Sequence, residues 1–307
     1  MLSRHEALLD RAAAGVRGRS RVLCASLGLL AQHAAEALGA STSIPRVAEA
    51  ASLLSLLTKI DDDVIDGQAF HGGPLRTSGH VVLRRRVRSY LAPTLDSLLR
   101  GRPARDEARC ELAALVGQQL AALASSRARL DALHEVIAAG WETQVRAVDM
   151  LSRHPACSTL AEVAHVTAAI SAEWLLMITM VGGLPGDARR DVSDAEMHAF
   201  WAWGWHIQRA DALADFAKDL DEGLNNSWTG RVCFERYGDA YVKAVQRRDG
   251  VALDRMVESV ASQCVPDARA KRQAREGVAG LGRVGDDLSW IHAMLLGRRH
   301  RRRTEAC

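Results

Sequence analysis

Apolar residues recur every three to four positions through most of the chain, in segments rich in Ala and Leu, at roughly 21 to 39, 46 to 66, 78 to 100, 105 to 127, 129 to 152, 159 to 182, 194 to 222 and 267 to 296. Almost nothing alternates with a period of two, so the pattern predicts an all-α chain. Six prolines (Pro45, Pro74, Pro103, Pro155, Pro185 and Pro266) fall between these segments, where a missing N–H does a helix no harm. Ser193 with Glu196, and Thr159 with Glu162, have the spacing at which each residue's side chain satisfies the other's backbone N–H. They mark two helix starts. Short connections and the absence of a tandem repeat predict a single compact bundle of about ten helices. Residues 1–297 form that domain, and 298–307 a basic tail without structure of its own.

Composition narrows the class. With 307 residues, 48% hydrophobic and 25% charged, the chain is long enough for a large core. A net charge of +3 gives no global attraction for nucleic acid, and no such partner is expected. The tail Arg298, Arg299, His300, Arg301, Arg302 and Arg303 reads as solvated, with a weak membrane-surface contact as the alternative. The six cysteines are scattered and none has metal-ligand spacing, which suits reduced thiols and a cytoplasmic location. No uninterrupted apolar run reaches the roughly 18 residues of a membrane span. Val22 to Ala31 follows Arg17, Arg19 and Arg21 like a leader, but continues amphipathically without a cleavage site.

Two groups of aspartates oppose the preferences of their own helices. The segment from Leu56 to Gly67 ends an apolar helix with Asp61, Asp62, Asp63 and Asp66; positions 62 and 66 share a face, with Asp63 beside them. A second helix carries Gln208, Asp211, Asp215 and Asp219, the aspartates spaced by four along one stripe. Two ionised carboxylates about 6 Å apart repel by roughly 2 to 3 kcal/mol at an effective dielectric near 20. Lys59 and Lys218 offset part of seven negative charges. Hard oxygen donors on two helices suit Mg2+, which commonly bridges carboxylates to substrate phosphates.

On these residues the chain resembles the class I isoprenoid synthase superfamily. Asp62-Asp63-Val64-Ile65-Asp66 is similar to the DDxxD motif of trans-prenyl diphosphate synthases and to the aspartate motif of squalene and phytoene synthases. The latter carry an Arg where this chain has Lys59, and their second motif has Asn where this chain has Asp211. Gly204-x-x-Ile207-Gln208-x-x-Asp211 also resembles the second motif of chain-elongating synthases, with Ala212 in place of an aspartate. The central segments containing Trp141 and Trp174 resemble phytoene synthases more loosely, and the likeness covers roughly residues 46 to 230. The Arg and Tyr-Leu-Pro stretch that follows the second motif in phytoene synthases is replaced by Leu224-Asn225-Asn226-Ser227-Trp228, and the central tyrosines are missing.

The resemblance implies an isoprenoid synthase fold, a helical bundle around a central apolar cavity, in which Asp62, Asp63, Asp66, Asp211, Asp215 and Asp219 hold Mg2+ and carry catalysis. It implies that Lys59, Gln208, Lys218, Trp141 and Trp174 contact a prenyl diphosphate substrate. Of the remaining tryptophans, Trp201, Trp203 and Trp205 sit on helices expected to wall the cavity, although plain core packing explains any single one. Arg76, Arg84, Arg85 and Arg86 follow the first motif, and surface solvation accounts for most of them. The expected activity is a terpene synthase that ionises one prenyl diphosphate and cyclises or rearranges it; the alternative is a prenyltransferase joining two. A non-catalytic helical protein with structural acidic stripes is a third reading. Related folds allow a homodimer.

Overall fold

The computed structural model describes residues 18–69, 80–221, 223–265 and 268–305, together with Leu8 and Arg11. Among them are thirteen α-helices and no strand. The first seven are α1 (Gly18–Ala37), α2 (Ile44–Ala69), α3 (His80–Arg100), α4 (Ala108–Leu123), α5 (Arg127–Leu151), α6 (Leu160–Gly183) and α7 (Asp194–Ala214). A short α8 (Phe216–Asp221) is followed by α9 (Trp228–Tyr237), α10 (Asp239–Arg247), α11 (Gly250–Val260), α12 (Ala268–Gly277) and α13 (Val284–Glu305).

Helix α6 is the axis of the bundle. It packs on α1, α2, α5, α7 and α9, and α13 closes against α1 and α7. Its length and composition would suffice to cross a membrane, which qualifies the reading that no such run exists, but 67% of its most apolar stretch is buried inside the protein. The neighbouring helices use that surface. The main core joins α1 to α7 with α12 and α13, through side chains such as Leu27, Leu54, Ile137, Ile178 and Phe200. A second apolar cluster, including Tyr241, Val257 and Cys264 with Leu213 and Phe216, gathers α9, α10 and α11. Leu151 packs against both.

Both capping boxes form: Thr159 Oγ1 accepts from the Glu162 N–H at 3.2 Å and Ser193 Oγ from the Glu196 N–H at 3.3 Å. Arg190 additionally clamps Glu196 with two bonds of 2.8 and 2.9 Å. Other expected segments divide differently. The stretch 194–222 breaks at Asp215, which has left helical geometry at φ −104° and ψ 11°. The stretch 267–296 is two helices separated by a turn at Gly282, whose φ of +60° is natural only to glycine. Residues 228–260, where no element was expected, hold three short helices, with Gly238 at φ +51° between the first two. At nine to eleven residues each, they are too short to show a long period. The basic segment expected to lack structure continues α13 as far as Glu305. Pro74, Pro266 and Arg76 lie outside the described residues.

Candidate functional site

Helices α2, α5, α6 and α7 enclose a cavity of about 820 Å³. Thr58, Lys59, Asp61, Asp62 and Asp63 of α2 form part of its rim, and Asp211, Asp215, Lys218 and Asp219 another part. The two acidic segments, some 150 positions apart in sequence, therefore open on one space. Trp141, Trp174, Val148, Met177, Ile207 and Leu295 supply apolar wall. Of the expected residues, Lys59, Asp62, Asp63, Gln208, Asp211, Asp215, Lys218, Asp219, Trp141 and Trp174 all line this cavity. Asp66 belongs to the last turn of α2, and its side chain lies outside the described set.

The stripe after Asp211 survives the break in its helix. Asp215 N–H donates to the Asp211 carbonyl at 2.8 Å and Asp219 N–H to the Asp215 carbonyl at 2.9 Å. The four-residue repeat is thereby kept, and the three carboxylates remain in sequence along the rim.

Charge balance on the first stripe is local. The Lys59 ammonium bridges Asp62 Oδ2 at 2.6 Å and Asp63 Oδ1 at 2.9 Å. Gln144 from α5 donates to the other Asp62 oxygen at 2.7 Å. Burial opposes the Asp62 charge, yet Lys59, Lys218 and Gln144 outweigh it and hold the carboxyl below its ordinary range. Lys218 thus couples one stripe electrostatically to the other. Burial likewise opposes the Lys59 charge, and the two aspartates overcome it, raising the ammonium well above its usual value.

Asp61 does a different job. It is 3% exposed and pairs with Arg109 of α4 at 3.1 Å, while that guanidinium lies 3.7 Å over the Tyr90 ring of α3. Burial pushes its carboxyl up to about 6, with Arg109, the Trp141 indole and Tyr90 pulling the other way. Trp141 lines the cavity near this buried acid.

Several wall residues carry little signal in the sequence. Glu173 sits beside Trp174 in the most apolar helix, and burial raises its carboxyl against a hydrogen bond from Thr143. An acid in the apolar middle of that helix was the available cue. Ser171 donates to Gln208 Oε1 at 2.6 Å, fixing that amide across α6 and α7. Ser227 and Trp228 reach the cavity because Asn226 is locked to α5: its N–H donates to the Leu151 carbonyl at 2.9 Å and its amide to Ser158 Oγ at 2.6 Å.

Other expected wall residues lie elsewhere. Trp201 stacks on His165 at 5.5 Å, and Trp203 is buried with its indole donating to the Ala274 carbonyl at 3.0 Å. Trp205 packs edge-on to Trp228 at 4.5 Å, behind the wall rather than on it. Arg85 and Arg86 are exposed, whereas Arg84 pairs with the fully buried Asp149, which Arg153 also holds at 2.7 Å. None of the three faces the main cavity.

As donors the rim carboxylates suit a hard divalent ion, since all are oxygen ligands opening on one space. Among the described residues, however, no three acidic, His or Cys side chains converge closely enough to hold one. The Asp62 and Asp63 oxygens that could contribute are turned onto Lys59. No protein-family model matches the chain, and no curated protein does.

Proposed function

We propose that the protein is a class I terpene synthase of the isoprenoid synthase superfamily, which ionises a prenyl diphosphate and directs the resulting carbocation to a cyclised or rearranged product. The observation that carries this reading is the meeting of two sequence-distant acidic stripes at one cavity whose other walls are apolar and aromatic. At about 820 Å³ the space falls within the range of small-molecule sites.

Asp62, Asp63 and Asp66 on one side and Asp211, Asp215 and Asp219 on the other would hold Mg2+. Bound there, Mg2+ supplies Lewis-acid stabilisation of the charge that develops on the departing diphosphate. Lys59 and Lys218 add positive charge at the same rim, where the anion's oxygens would lie. Gln208, fixed by Ser171, orients polar contacts at the boundary between rim and wall. Trp141, Trp174 and Trp228 offer ring faces to an allylic cation, each contact worth roughly 0.5 to 2 kcal/mol. The apolar wall also keeps water from quenching that cation.

Purified protein incubated with Mg2+ and C10 to C20 prenyl diphosphates should release diphosphate and yield a hydrocarbon, or its cyclised alcohol, in hexane extracts. Asp62→Asn and Asp211→Asn should each lower that rate by about 10²- to 10³-fold. A C30 or C40 product, or a longer diphosphate, would assign the protein to the prenyltransferases instead. Absence of diphosphate release from every substrate refutes the proposal.

A further inference from the structure

We infer that Lys59 is a tethered cation that closes the first aspartate stripe in the ligand-free protein, so that a divalent ion engages Asp62 and Asp63 only after an anionic diphosphate group draws the ammonium away. The inference rests on the proposed function and adds to it a control on the order of binding.

Three observations converge. Lys59 reaches both carboxylates of its own helix, at 2.6 and 2.9 Å, from positions three and four residues earlier. Gln144 takes the remaining Asp62 oxygen at 2.7 Å, so neither Asp62 oxygen is left facing the cavity without a partner. Among the described residues no trio of ligands is preassembled for a metal. A lysine ammonium has three donors and no acceptor. Two of them point at the aspartates, and Lys59 itself lines the cavity, so a third can meet an anion arriving there.

Electrostatics set the order of events. With Lys59 in place, the Asp62 and Asp63 pair presents a net charge of about −1 rather than −2, and an incoming divalent ion also meets an adjacent ammonium. Repulsion between neighbouring cations at about 4 Å, even screened as in bulk water, weakens ion binding at least ~10-fold. A diphosphate reverses the balance, because it gives the ammonium a new anionic acceptor and brings oxygens of its own to the metal. Lys59 also separates this chain from a plain aspartate motif: a neutral residue at the position would leave the stripe open to any divalent ion.

The test uses the full-length protein and Mn2+ as the probe, with free Mn2+ followed by electron paramagnetic resonance in the absence of diphosphate. Lys59→Gln, which keeps a donor and removes the charge, should bind one more Mn2+ per chain than wild type, or bind it at least ~10-fold more tightly. Lys59→Met should do the same, and serves if the amide variant folds poorly by circular dichroism. Lys59→Arg should behave as wild type, and adding Asp62→Asn to Lys59→Gln should abolish the gain. Folded neutral variants that match wild type in number and affinity of bound Mn2+ overturn the inference alone, provided wild type binds Mn2+ and releases diphosphate from a prenyl substrate. If no form of the protein binds Mn2+, the inference and the proposed function fall together.

Discussion

Gly204→Ala and Gly140→Ala make the same chemical change at two helical positions near the cavity, and the structure assigns them opposite signs. Gly204 lies where α7 crosses α6. A β-carbon there would sit 2.4 Å from the Ala172 nitrogen, 2.6 Å from the Ala168 carbonyl oxygen and 2.7 Å from the Ala172 α-carbon. These are backbone atoms, so relief requires the two helices to part by roughly 1 Å toward ordinary contact distance. Overpacking of this kind costs about 1 to 3 kcal/mol, and the better helix propensity of alanine returns about 1. Gly204→Ala should therefore lose up to about 2 kcal/mol, and by displacing Gln208 from Ser171 it should also weaken substrate binding. At Gly140 the nearest atom, the Glu173 β-carbon, is 4.0 Å away. Gly140→Ala should gain about 0.5 to 1 kcal/mol from propensity alone. Urea denaturation followed by circular dichroism reads both, with unchanged slopes showing that the shift in midpoint is one of stability. Gly204→Ala unfolding at or above the midpoint of Gly140→Ala would refute the close helix crossing and the account of Gln208 that depends on it.

Acid should destabilise the protein partly through His292. Burial, aided by the charges of Lys271, His206 and Arg209, lowers its pKa to about 4. Between about 6.5 and that value the unfolded chain binds the proton and the folded one does not, so stability is full at neutral pH and falls as pH drops through this window. Urea midpoints at pH 7.5 and 4.5 should show the fall, and His292→Gln should make it shallower. Ser193→Ala removes the cap of α7 and should cost about 1 kcal/mol in the same assay, because Arg190 still holds Glu196. Chelation of divalent ions should abolish diphosphate release while leaving the circular dichroism spectrum unchanged, since apolar side chains of the helices themselves make up the packed core. A loss of helix on chelation would favour structural rather than catalytic carboxylates.

Legibility in the sequence tracked the length of the periodic signal. Long amphipathic segments and two capping boxes made the helical class and most boundaries readable, as Thr159 and Ser193 illustrate. The aspartates stood out because repelling charges at steps of four on apolar helices contradict local preference. What escaped depends on three-dimensional placement. The break at Asp215 leaves its hydrogen-bond repeat intact, so spacing alone did not show it. Three tryptophans within five residues, Trp201, Trp203 and Trp205, point about 200° apart in successive pairs, and periodicity sent them to a ring stack, the core and the back of the wall. Trp228 reached the cavity instead, through the anchoring of Asn226, which no local pattern announces. Glu173 was visible as a letter but not as a wall residue, since an isolated acid has no spacing to interpret.

The run Asp61-Asp62-Asp63 shows how a helix divides identical residues among unlike tasks. Each step rotates the side chain by about 100°, so neighbours in the text face different surroundings. One aspartate is a buried strut to Arg109, the next is shared between Lys59 and an amide from another helix, and the third pairs with the same lysine. Redesign of this segment must accordingly treat its three positions as three separate parts: removal of the first would loosen the scaffold, while removal of either of the others would retune the rim.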